Sequence, residues 1–131
     1  MSNWDQLHRR HRLVHAVLSE IGRTGRPAVA ARYRADVDAE FGDFGGFLLE
    51  VQVRWYRAFD AWLDAALENE PDDIAAAMAD IWATLAEAMP SSRLLLDTHA
   101  AHPALRALHE HHRRGIIQLS GRRHDQYSST G

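Results

Sequence analysis

Nine histidines and no cysteine mark this chain, and the histidines are confined to its two ends. His8, His11 and His15 fall in the first helical stretch, while His99, His102, His109, His111, His112 and His124 fall in the last third. Residues 16–98 hold none. Imidazole ligates metals, shuttles protons and changes charge near neutrality, so this distribution invites a functional reading. His8, His11 and His15 stand at i, i+3 and i+7, and His109 and His112 at i, i+3. Two helices so marked can offer three or four imidazoles to one metal ion or haem. A di-metal site in a bundle core would add Glu-x-x-His pairs from facing helices, and the chain has none; Asp5-x-x-His8 is the nearest. The competing reading satisfies the histidines with neighbouring carboxylates and carbonyls.

Catalytic constellations are scarce. Ser91, Ser92 and Ser120 lack the setting of a nucleophile elbow, and Gly42 to Gly46 reads as a turn rather than a phosphate cradle. The missing cysteine excludes disulfides, thiolate zinc sites and cysteine nucleophiles. The expectation is a protein that is not an enzyme and holds no cofactor.

Charge is partitioned like the histidines. Residues 1–34 carry seven arginines against Asp5 and Glu20, residues 35–92 carry Arg54 and Arg57 against thirteen acids, and residues 93–131 carry six arginines against three acids. Arg9, Arg10 and Arg12 at one end, with Arg113, Arg114, Arg122 and Arg123 at the other, could neutralise phosphates, which makes nucleic acid a candidate partner. No recognition-helix motif accompanies them. The plainer outcome is neutralisation by the acidic middle. Lysine is absent, and the arginine and alanine usage suits a GC-rich bacterial genome. No apolar run reaches the length of a membrane span and no leader reads as a secretion signal, so a cytoplasmic protein is expected.

The elements that must position these residues are helical, because no segment alternates at period two. The first helix is expected from Ser2 or Asn3 to Gly22, with the seam Trp4, Leu7, His11, Val14, Leu18 and Ile21. That seam places His11 in the core. A second helix follows Pro27, with Tyr33, Val37 and Phe41 on one face, and stops at Gly42. Phe44, in the turn, is expected to plug the core. The longest helix, about Gly46 to Glu68, aligns Phe47, Leu48, Val51, Trp55, Phe59, Trp62, Leu63 and Ala66. Pro71-Asp72-Asp73 opens the fourth helix, whose core face is Ile74, Met78, Ile81, Trp82, Leu85 and Met89. Ser91 is expected to cap a short helix to about Ala100, and Pro103 to open a last one reaching Leu119, with His112 in its seam. The fold class is all-α: a compact bundle of five or six helices, residues 1–120 forming one domain and 121–131 a polar tail.

Its interior is aromatic. Phe44, Val51, Trp55, Phe59, Trp62 and Trp82 are the candidate lining of a pocket for a small apolar ligand, against the alternative that they simply fill the core.

From Phe41 to about Ile116 the chain resembles the helical ligand-binding region of TetR-type transcriptional regulators. There, a Phe-Gly, a short turn and a Leu-rich helix start join the DNA-binding head to the sensor domain. Here Phe41-Gly42 is followed by Phe47, Leu48, Leu49 and Val51, and the stretch from Arg93 to Arg106 resembles the segment that follows. The segment from Gly25 to Phe41 is short for a complete helix-turn-helix, and the long terminal dimerisation helices are missing. The resemblance implies a sensor-like, homodimeric binding or regulatory module. The alternatives are a histidine-based metal or haem protein using His8, His11, His15, His109 and His112, and a nucleic-acid-associated regulator using the basic ends.

Overall fold

A computed structural model describes residues 3–108, 110, 111, 113 and 114. Among them there is no strand; helices follow one another through short connections. The elements are α1 (Asn3–Thr24), a 3₁₀ turn (Ala31–Tyr33), α2 (Arg34–Phe41), α3 (Phe44–Glu68), α4 (Ile74–Ala88) and α5 (Pro90–Thr98). Residues 103–108 are helical again. The chain is an all-α bundle.

Boundaries follow from caps. α1 runs through Gly22 and ends at Gly25, whose φ of +72° is open to glycine at no steric cost. Gly22 lies inside the helix instead, where a Cβ would come within 2.8 Å of the Ser91 hydroxyl; it lets α1 approach α5. α3 starts two residues earlier than the sequence suggests, because the Asp43 carboxylate accepts from the Gly46 N–H at 2.7 Å and caps the first turn. Asp73 does the same for α4, accepting from Ala76 N–H at 3.0 Å. Pro90, at the first position of α5, both stops α4 and starts the next helix, so the start falls at Pro90 and not after a Ser91 cap.

The apolar cluster runs through every helix. Val14, Val17 and Ile21 of α1 meet Val37 of α2, Phe47, Leu48, Val51, Trp55, Phe59 and Leu63 of α3, Ile81 and Leu85 of α4, and Leu95 and Leu96 of α5. α3 is central, packing against α2, α4 and α5. α1 packs chiefly on α5. Length explains what this leaves uncovered. A 22-residue helix is about 33 Å long and a nine-residue one about 14 Å, so the first turns of α1 overhang α5. Trp4 and Leu7 are consequently 67% and 60% exposed, and His11 is exposed too, against the core position its seam predicts. Trp62 is likewise 53% exposed, although Leu63 beside it is buried and Ala66 and Leu67 beyond it pack against the core.

Ion pairs join the basic start to the acidic middle. Arg9 and Arg10 both pair with Glu40, at 3.1 and 3.7 Å. Arg23 and Arg32 both hold Glu20, tying the end of α1 to the 3₁₀ turn. Glu40 of the acidic middle thus neutralises two arginines of the basic start, while Glu20 serves two more within that start.

Candidate functional site

The six aromatic and aliphatic residues expected to line one pocket separate into three places. Trp55, Phe59 and Trp82 come together: Trp82 meets Trp55 edge-on at 5.2 Å between centroids and Phe59 at 6.1 Å. Val51 is buried one turn before Trp55 on α3. Trp62 faces solvent. Phe44 stands in the first turn of α3, half-buried, with His99 edge-on at 4.9 Å and His102 at 6.3 Å. The six do not line one pocket, because the five on α3 are spread from Phe44 to Trp62 along about 27 Å of helix and Trp82 stands on α4.

The middle of the tryptophan cluster holds a cation. The Arg93 guanidinium carbon lies 4.6 Å from the centroids of both Trp55 and Trp82. Its Nε and Nη2 reach one carboxylate oxygen of Asp97, at 2.9 and 2.6 Å. Burial pushes the Tyr56 hydroxyl upward, and the Arg93 charge pulls it back.

A cleft of about 280 Å³ lies at the Phe44 end. Ala28 and Val29 form one side, Val37 with Arg34 and Asp38 of α2 another, and Phe44 and His99 the third. The sequence explains each wall. Val29, in the extended segment after Pro27, is 7% exposed, and Val37 is 2% exposed on the inner face of α2. Arg34 and Asp38 are one turn apart on the exposed side of the same helix. His99 follows the last turn of α5 and is fixed by its Nε2, 2.9 Å from the Pro27 carbonyl oxygen. A carbonyl only accepts, so Nε2 carries the proton. His102 turns its Nδ1 to the Ala104 N–H at 3.2 Å and caps the helical residues from 103 onward. The cleft thus combines an apolar floor with a cation, a carboxylate and an imidazole. That composition suits a small molecule with an apolar body and one polar end.

Among the described residues, the histidines proposed as metal ligands do not come together. His8 stacks edge-on against Trp4 at 4.5 Å between centroids, His11 accepts at Nδ1 from Arg54 Nη1 at 3.1 Å, and His15 is exposed. His109 and His112 lie outside the described residues. Among the described residues, no three His, Asp or Glu side chains could hold a metal ion together. His11 fails as a core ligand for a physical reason: an arginine of α3 faces it.

Sequence reasoning missed Ala28, Val29, Arg34, Val37, Asp38 and His99 as neighbours. The Arg34–Asp38 spacing and the His99 placement just before Pro103 were visible signals, but nothing local joins residues 28, 37 and 99. Arg93 was missed as well; a lone cation leading into Leu94-Leu95-Leu96 was its signal.

No described helix is long and apolar enough to cross a membrane. No family model, curated protein or solved structure matches this chain.

Proposed function

We propose that this chain is a non-enzymatic binding module that senses a small apolar ligand with one polar end, held in the cleft at Phe44. The observation that carries the reading is the cleft's composition: Val29, Val37 and Phe44 form its floor, and Arg34, Asp38 and His99 stand around it. Arg34 has no ion-pair partner among the described residues, so its guanidinium is available to a ligand carboxylate or phosphate. The likeness to the sensor region of TetR-type regulators supports the same reading, and with it a regulatory role in the bacterial cytoplasm. Arg9 and Arg10 count against nucleic acid as the partner, since both already hold Glu40.

The test is a thermal-melting screen with aliphatic acids, aromatic acids, alcohols and alkanes of matched size. An acid-bearing apolar class should raise the melting temperature saturably, and Arg34→Ala should weaken its effect. Equal indifference to all four classes would refute a sensor.

A second reading concerns assembly. The exposed Trp4 and Leu7 on the overhanging end of α1 support a homodimer formed through that end.

A further inference from the structure

Two buried polar atoms of the tryptophan cluster have no hydrogen-bond partner: the indole Nε1 of Trp55 and Nη1 of Arg93. Trp55 is 0% exposed, so its N–H meets neither water nor protein. Such orphan donors are uncommon in protein interiors and mark a place where an acceptor belongs. Both lie in one cluster, where two indoles flank a cation at 4.6 Å and Phe59 stands against Trp82. Aromatic rings gathered around a positive charge are the chemistry by which quaternary ammonium ions are recognised.

We propose that Trp55, Trp82 and Phe59 form a cation cage, closed by the chain's own Arg93, that takes a small quaternary ammonium compound bearing an oxygen acceptor when Arg93 turns outward. Methyl groups around a positive nitrogen serve the two indole faces as the guanidinium does. They carry no N–H and leave no donor stranded, as Nη1 is now. The ligand oxygen accepts from Trp55 Nε1, which Arg93, having only donors, can never satisfy. The way in is present. Trp82 is 36% exposed, and Asp97, at 64% side-chain exposure, sits where the guanidinium reaches solvent. Arg93 can stay paired with Asp97 while leaving the rings, because the two are one turn apart on α5. Once Arg93 has turned outward the pair is exposed, and an exposed pair holds weakly. Arg93 is then an internal competitor that sets the threshold for ligand.

Titration of the full chain with glycine betaine and with tetramethylammonium chloride, read by tryptophan fluorescence against equal sodium chloride, tests this. Wild type should respond saturably to both, with glycine betaine the tighter through its carboxylate. Trp82→Ala should abolish the response. Arg93→Ala, checked for folding by circular dichroism, should bind about tenfold more tightly. If that variant does not fold, Arg93→Met keeps the length of the side chain without its charge or donors, and should likewise tighten binding several-fold. A wild-type response no different from sodium chloride, or a folded Arg93→Ala no tighter than wild type, would overturn the cage. Equal affinity for the two compounds would overturn the role given to Trp55 Nε1.

Discussion

His99 donates through Nε2 to the Pro27 carbonyl oxygen at 2.9 Å, across 72 positions of sequence. This bond joins the end of α5 to the extended segment before α2, and so holds two walls of the cleft together. His99→Ala leaves the carbonyl without its partner and removes a lining ring. Leaving a part-buried acceptor unpaired costs about 1–3 kcal/mol. Chemical denaturation should show a loss in that range, together with weaker ligand binding; unchanged stability would mean that water serves Pro27 equally well.

Gly46 tests how α3 begins. A Cβ at this position would overlap the Phe41 carbonyl oxygen, which is backbone and has nowhere to go. Gly46→Ala should destabilise the fold by about 1–3 kcal/mol or more, as overpacking does. Gly25 makes the useful contrast, since a Cβ there meets nothing and only its positive φ resists substitution. A Gly46→Ala variant as stable as wild type would mean that the α2–α3 turn rearranges freely.

The helices were legible because their punctuation is chemical. Gly42 as a stop and Pro71-Asp72-Asp73 as an opening act locally and are legible as such. Gly25, Asp43 and Pro90, by contrast, set boundaries that the sequence alone assigns to Gly22, Gly46 and Ser91, and α2 begins at Arg34 rather than directly after Pro27. The site was not legible, because it depends on which helix lies opposite which. His11 shares a helical face with Val14, yet α1 overhangs its partner and His11 meets Arg54 instead of the core. Trp62 stands seven positions after Trp55 on α3, yet it is exposed where Trp55 is buried. Arg93 reads as a solvated charge in sequence, although its side chain is only 16% exposed between two indoles.

Stability should vary with pH at both extremes, with opposite signs. The Arg23 hydrogen bond, helped by Arg32, holds the Glu20 carboxyl below its ordinary 4.5. Its contribution is therefore present above pH 4.5 and lost as pH falls through the lower, folded value. Burial raises the Tyr56 hydroxyl above its ordinary 10.0, so stability is kept below pH 10 and lost as pH rises through the folded value. Denaturation midpoints should show wild type exceeding Glu20→Gln at pH 7, with the gap closing as pH falls below 4.5. Above pH 10, Tyr56→Phe should lose less stability than wild type. A gap between wild type and Glu20→Gln that stays constant as pH falls below 4.5 would contradict the first assignment.

The overhang of α1 bears on assembly. If Trp4 and Leu7 bury themselves against a second copy, sedimentation equilibrium should give a dimer for wild type and a monomer for Leu7→Glu, whose folded core is untouched because Leu7 is 60% exposed. A wild-type monomer at every concentration would remove the homodimer.

The central claim is that the Phe44 cleft binds a small apolar ligand, and the most direct measurement is calorimetric titration with the acid found in the melting screen. None of the residues lining the cleft is tryptophan, so heat is a better reporter than fluorescence. Ala28→Trp fills the cleft from its exposed wall without entering the core. The account predicts one-to-one binding to wild type and none to Ala28→Trp; binding of equal strength to both proteins would contradict it.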